Sequence, residues 1–261
     1  MIRARQVRKM VVAAATIIAI GTAAVQAAQK TEDQKMFEED VIQTPTSDLK
    51  ITFLGHASLA LAYRGKVLYV DPVGNPAGTP VDYTKMPKAD IILITHEHFD
   101  HLDPKAVATL RKEQTAVVLT RTCADKVSGG TVLKNGDAAT IQGVKIEAVP
   151  AYNLVHKRPD GQPFHPKDSG NGYVLNFDKT RLYVAGDTEN IPEMKQLKDI
   201  SIAFLPMNLP YTMTPEMVAE AARVIRPKIL YPYHYGQTDP NKLVELLKDQ
   251  KTTEVRIRKM K

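Results

Sequence analysis

Short stretches rich in branched and aromatic residues recur along most of the chain, many of them flanked by Gly, Pro, Asn or Asp. They predict strands over residues 51–54, 59–63, 66–70, 91–95, 116–120, 144–149, 172–177, 181–185, 202–205, 229–231 and 254–257. The run Ile91-Ile-Leu-Ile94 is apolar without a break, the pattern of a strand covered on both faces. Three helix starts are marked by a capping residue followed by proline: Asp103-Pro104, Thr214-Pro215 and Asp239-Pro240. Pro227 ends the second of these helices. Strands that alternate with helices to the end of the chain predict an α/β architecture of two mixed sheets packed face to face with helices outside. The sequence has no repeat period and no low-complexity tract.

Composition narrows the class without changing that picture. With 261 residues, 43% hydrophobic and 25% charged, the chain is neither disordered, collagen-like nor a polytopic membrane protein. Its formal charge of +6 points first to nucleic acid, but Arg3, Arg5, Arg8 and Lys9 supply four of those charges and leave +2 for the rest. A polyanion partner is therefore not expected from net charge. Residues 10–29 are uncharged and Ala-rich, follow that basic start and end in small residues, the layout of a secretory signal peptide cleaved after Ala27. The domain plan is a signal peptide over 1–27, a polar linker over 28–48 and a single domain over 49–261, placed in the periplasm or outside the cell. An uncleaved membrane anchor is the rival, since about 20 apolar residues can cross a bilayer. The Ala and Thr content, with Gly21 and Gln26, favours cleavage and no lasting membrane span. Cys123 is the single cysteine, so the fold has no intrachain disulfide.

The apolar strand over 91–95 runs directly into His96-Glu-His98-Phe-Asp100-His101. Imidazoles and a carboxylate at the carboxyl end of a buried strand are the ligand set that zinc, iron and manganese accept, in the place where sheet proteins bind ligands. One loop rarely completes such a site. Asp187 follows the strand over 181–185 through Gly186, which permits a sharp turn, and His234 follows another apolar strand. All three groups sit at strand ends, as a metal site at one edge of a sandwich requires.

The succession H-E-H-F-D-H, then G-D-T, then Y-H resembles the metallo-β-lactamase superfamily over essentially the whole chain after the leader. Gly55-His-Ala-Ser58, Val70-Asp-Pro72, Pro150-Ala-Tyr-Asn153, His165-Pro-Lys167 and Tyr211-Thr-Met-Thr-Pro215 extend the likeness. It is similar to the branch related to ascorbate-6-phosphate lactonases and N-acyl phosphatidylethanolamine phospholipases D. The resemblance implies an αββα sandwich with two divalent metal ions between the sheets, zinc first, with manganese or iron as alternatives. It also implies that His96, His98 and a third histidine hold one metal, that Asp100, His101 and His234 hold the other, and that Asp187 bridges them. Both His165 and His156 lie in the interval for the third histidine. His165 is preferred for its spacing from the strand leading to Gly186-Asp187, and His156 is left to the substrate pocket or a plain loop. Asp71 is expected to orient a ligand imidazole, and His56 to lie near the site.

The reading that follows is a secreted metal-dependent hydrolase in which a metal-bound hydroxide cleaves an ester, lactone or phosphodiester bond of a small-molecule or lipid-like substrate. Asp100 and Asp187 are its catalytic carboxylates; Asn208, Tyr211 and Tyr235 are candidate oxygen-stabilising donors or substrate contacts. A β-lactamase is one alternative, but those enzymes commonly carry a cysteine among the second-metal ligands and lack the bridging aspartate. The other is a non-catalytic periplasmic metal-bound binding protein, for which Lys157-Arg158 and the basic tail from Arg256 to Lys261 are the supporting features.

Overall fold

The computed structural model describes residues 37–78 and 80–261. Strands join in chain order, so each half of the chain builds its own seven-stranded sheet. The first contains β1 (Glu38–Gln43), β2 (Asp48–Gly55), β3 (Ser58–Tyr63), β4 (Lys66–Val70), β5 (Ile91–Leu93), β6 (Ala116–Leu119) and β7 (Thr131–Val132). The second contains β8 (Ala138–Ile141), β9 (Val144–Ala151), β10 (Gly170–Phe177), β11 (Thr180–Val184), β12 (Ile200–Pro206), β13 (Ile229–Tyr233) and β14 (Glu254–Val255). Both are mixed on the same plan. Hairpins give antiparallel pairs from β2 to β4 and from β8 to β11, and crossovers then give parallel pairs from β4 to β7 and from β11 to β14. The molecule is an αββα sandwich.

Aromatic side chains join the facing sheets. Phe53 of the first meets Tyr231 and Phe204 of the second at ring separations of 5.1 and 6.2 Å, and Tyr63 meets Phe177 at 5.0 Å. Tyr173, fully buried in β10, donates its hydroxyl proton to the carbonyl of Ile94 at 2.9 Å, so the polar tip of a core residue is satisfied across the interface. The crossover helices follow their caps. α1 (Pro104–Leu110) starts on Asp103, and α3 (Pro215–Ile225) on Thr214. The second of these ends at Arg226 in a left-handed conformation just before Pro227. α4 (Asn241–Leu247) begins one residue after the proline of its signal, and the four-residue α2 (Arg121–Ala124), capped by Thr120, was not expected. Among the described residues no helix is long and apolar enough to cross a membrane.

The signal peptide lies outside the described residues. The expected linker is corrected in its last part: β1 occupies residues 38–43 and pairs with β2, so the folded domain begins before residue 49. Asp40 of this strand accepts hydrogen bonds from the Tyr231 hydroxyl and from Arg258 Nη2, the latter at 2.7 and 2.8 Å. Arg256 lies 3.4 Å from the same carboxylate and pairs with Glu254 at 2.8 Å. The arginines of the basic tail therefore fasten the two sheets together at one edge.

Candidate metal centre

Four loops, following β5, β9, β11 and β13, bring His96, His98, Asp100, His101, His165, Asp187 and His234 to one end of the sandwich. The loop after β5 is held at both ends. The amides of His101 and Leu102 both donate to the carbonyl of His98, at 3.0 and 2.9 Å, turning the chain back on itself. Asp103 then caps α1 through one carboxylate oxygen and accepts the Gly74 amide on the other at 3.0 Å. Asp187 is placed by Gly186, whose φ is +66°. A Cβ there would fall 2.8 Å from the Asn171 carbonyl and 3.2 Å from Cβ of Thr95, so only glycine lets the loop pass between the sheets. His56 and His234 also adopt left-handed backbone conformations, with φ of 52° and 46°. The amide of His234 donates to the carbonyl of His56 at 3.0 Å, linking the two sheets directly behind the cluster.

Asp187 is the centre of the arrangement. Its carboxylate lies 3.2 Å from His165 Nε2, 3.3 Å from His101 Nε2, 3.5 Å from His234 Nε2 and 4.0 Å from His96 Nε2. Candidate donor atoms fall into a group from His96, His98 and His165 and a group from His56, Asp100, His101 and His234, each with its members within 4.8 Å of one another. Asp187 shares a further grouping with His96 and His101.

Neighbouring side chains hold these rings by their far nitrogens. Asp71, fully buried, lies 2.8 Å from His101 Nδ1 and is itself fixed by the amide and hydroxyl of Thr95 at 2.8 and 2.7 Å. Asn153 Oδ1 lies 2.6 Å from His165 Nδ1. Both contacts leave Nε2 pointing at Asp187. His56 Nε2 approaches Asp100 Oδ2 at 3.1 Å while its Nδ1 meets the Lys261 carbonyl at 2.8 Å, and its ring packs on His234 with centroids 3.8 Å apart.

Electrostatics favours the ligating forms of most of these groups. Burial, then the neighbouring His101, pushes the pKa of His96 well down, and burial followed by His165 lowers His98. Burial alone would raise Asp187, but His234, His101 and His165 outweigh it and hold the carboxyl far below its usual range. Asp100 follows the same logic: burial opposes ionisation, and His234 and His56 overcome it. His101 is the exception, raised in spite of burial because Asp187 and Asp71 flank its two nitrogens. Even so, His101 Nε2, Asp187 Oδ1 and both ring nitrogens of His234 are buried without a hydrogen-bond partner. Orphaned polar atoms of this kind are costly unless something else binds them, and imidazole and carboxylate atoms converging at 3 to 4 Å suit a divalent cation. The residues present fit a metal centre.

Residues 50–234 match the family model of the beta-lactamase superfamily domain. The chain belongs to the metallo-β-lactamase superfamily. A UPF0173 metal-dependent hydrolase of Koribacter versatilis is 36% identical over 204 residues, 72% of this chain and 84% of that relative. One from Thermococcus onnurineus is 31% identical over 218 residues, 77% and 93% of the two chains. The crystal structure of a Parabacteroides distasonis chain, described as a metal-dependent hydrolase, superposes with a TM-score of 0.81 at 52% identity and covers 86% of this chain and 100% of its own. The chain is a metal-dependent hydrolase of the metallo-β-lactamase fold, with a His/Asp cluster able to bind metal.

Within that superfamily site the structure separates residues that the sequence left together. His165 joins the cluster, whereas His156 turns away, its Nδ1 2.7 Å from Glu189 Oε1. Glu189 is a site residue the sequence reading missed. Fully buried two positions after Asp187, it accepts the amides of Leu154, Val155 and His156, each at 2.7 Å, and Asn153 Nδ2 at 3.0 Å. Asn208 and Tyr211 line a cavity of about 390 Å³ that opens on His98, Asp187 and His234. Tyr235 does not: its hydroxyl donates to the Arg258 carbonyl at 2.8 Å, which corrects its proposed role as a donor to substrate. Cys123 is buried in α2, following a strand that carries no ligand.

Proposed function

We propose that this hydrolase uses two metal ions to cleave an ester, lactone or phosphodiester bond of a small organic or lipid-like substrate, and that it is secreted. The observation that carries the proposal is the position of Asp187, a buried carboxylate whose Oδ2 faces His165, His234 and His96 and whose Oδ1 faces His101. In this reading His96, His98 and His165 would hold one ion and Asp100, His101 and His234 the second, with Asp187 as a further ligand shared by the two groups. Bound divalent ions, zinc foremost among them, supply Lewis acidity that polarises a substrate oxygen and lowers the pKa of water toward 7.

The side chains around that centre divide the remaining work. Asp100, the most exposed of the cluster carboxylates, takes the proton from the attacking water, while His56 fixes the orientation of its Oδ2. Asp71 and Asn153 keep the rings of His101 and His165 turned inward. Asn208 and Tyr211 stand in the cavity wall within reach of the reacting group. A β-lactam substrate fits less well, because the central position is an aspartate and the single cysteine stands apart.

Elemental analysis of the purified protein, paired with a panel of bis-p-nitrophenyl phosphate, a lactone, an aryl ester and nitrocefin, tests the reading. Two metals per chain, with ester, lactone or phosphodiester turnover that a chelator abolishes, are expected. Protein purified in the presence of metal that retains none, or turnover indifferent to chelation, overturns it.

A further inference from the structure

Two cavities, of about 330 and 390 Å³, adjoin the cluster, and both are lined by His98, His165, Asp187, Phe164 and Arg158. Arg158 is the only lysine or arginine lining either one. It sits on a small hairpin between β9 and β10. The Arg158 amide donates to the Gln162 carbonyl at 2.7 Å, the Gly161 amide returns to the Arg158 carbonyl at 2.9 Å, and Lys157 bridges to Pro163. The base of the side chain is thus fixed. Its guanidinium is little engaged: Nη2 donates to the Phe164 carbonyl at 3.2 Å, and among the described residues no carboxylate pairs with it. A guanidinium offers five donors in a planar fork that matches carboxylate and phosphate.

The apolar lining beside it is equally specific. Phe164 meets Tyr211 edge to face with ring centroids 5.0 Å apart. Phe99, between His98 and Asp100, is 87% exposed and lines the same cavity. Uncovered aromatic surface of this kind beside a cluster of ionisable side chains suits an organic group lodged against it.

Resting on the hydrolase reading above, we propose that Arg158 is a specificity-determining residue that holds an anionic group, carboxylate or phosphate, carried by the substrate beside its scissile bond, while Phe99, Phe164 and Tyr211 receive the apolar part. The substrate is then an anionic ester, lactone or phosphodiester rather than a neutral one. The pair Lys157-Arg158, which the sequence offers in support of a non-catalytic binding protein, contributes one charge to a pocket.

The test uses the metal-loaded full chain and its Arg158→Ala, Arg158→Gln and Arg158→Lys variants at matched metal content. Turnover is compared between the mono-p-nitrophenyl ester of glutaric acid and the neutral p-nitrophenyl butyrate, and binding of benzylphosphonate is followed by calorimetry. The charged-to-neutral ratio of kcat/KM is expected to fall roughly tenfold to a hundredfold in Arg158→Ala and Arg158→Gln, with benzylphosphonate affinity falling in parallel. Arg158→Lys is expected to keep part of both. An unchanged ratio with unchanged phosphonate affinity overturns the assignment, as does an equal loss on both esters. If the wild-type chain hydrolyses neither ester, the ester part of the proposed function is what suffers, and phosphonate affinity across the variants still decides the role of Arg158.

Discussion

Asn153 Oδ1 lies 2.6 Å from Nδ1 of His165 and accepts its proton, which commits that ring to presenting Nε2 to Asp187, 3.2 Å away. Asn153 also receives the His165 amide at 3.0 Å, so one side chain sets both backbone and ring. Asn153→Ala is expected to leave the sandwich folded and to weaken metal retention by roughly 10- to 100-fold, the usual cost of losing a partner that orients a ligand. Competition with a chelator measures it, and metal affinity equal to wild type would refute the role given to Asn153. His156→Ala, by contrast, should keep full metal content.

Asp187 is the carboxylate that approaches His96, His101, His165 and His234 together. Asp187→Ala is expected to lose metal and turnover together, by more than the roughly 100-fold ceiling for orienting partners. Gly186→Ala should approach the same outcome by a steric route, because a Cβ 2.8 Å from the Asn171 carbonyl forces the loop to move. Melting curves of the metal-free proteins separate the two: Gly186→Ala melts below metal-free wild type by the steric clash alone, whereas the loss in Asp187→Ala lies chiefly in metal content.

Glu189 gathers the backbone amides of Leu154, Val155 and His156. At about 1 kcal/mol or more for each stranded donor, Glu189→Leu should cost roughly 3 kcal/mol or more, a fall of about 6 to 12 °C in a domain of this size. Thermal unfolding of the variant checks this, and a shift of a degree or less would mean that the loop finds other partners.

Acid should loosen the edge at which Asp40 ties β1 to the second sheet. Burial alone would raise its pKa, but Tyr231, Arg258 and Arg256 together hold it below the ordinary 3.8. A carboxyl depressed in the folded state stabilises fully above its unfolded value, and that gain shrinks as pH falls below 3.8, vanishing once the folded-state carboxyl is itself protonated. Asp40→Asn is expected to cost about 1 to 2 kcal/mol at neutral pH and progressively less in acid. Urea unfolding of both proteins from pH 7 to pH 3 should show the gap closing; a gap that widens in acid would contradict the sign.

The legible strands were those whose side chains are buried. The three that periodicity did not announce, β1, β7 and β8, are all edge strands, and the fourth edge, β14, was expected to run to residue 257 and stops at Val255. An edge strand is half-solvated and short, so EEDVIQ and AATI carry little of the pattern by which a strand is read. The site shows a similar division. Four candidate ligands share one six-residue loop and declare themselves, and Asp187 and His234 do so by following strands. The choice between His165 and His156 depended on which had Asn153 and which had Glu189 behind it, a relation between residues 12 and 33 positions apart. Tyr235 misled because a sequence gives the position of a hydroxyl and not its direction, whereas Arg158 was in view as half of the basic pair Lys157-Arg158, without the cavity it lines.

The candidate ligands are divided between the two halves of the chain, with His96, His98, Asp100 and His101 from the first sheet's loops and His165, Asp187 and His234 from the second's. Neither sheet alone owns both histidine groups and the carboxylate between them. On the proposed ligand assignment, tight metal affinity would be a property of the docked interface, and a bound ion would stabilise only those molecules in which the sheets have met. Two fragments produced by cutting between β7 and β8 would each lack the site, and recovery of tight metal binding on mixing them would report, ion by ion, how many pairs had found each other.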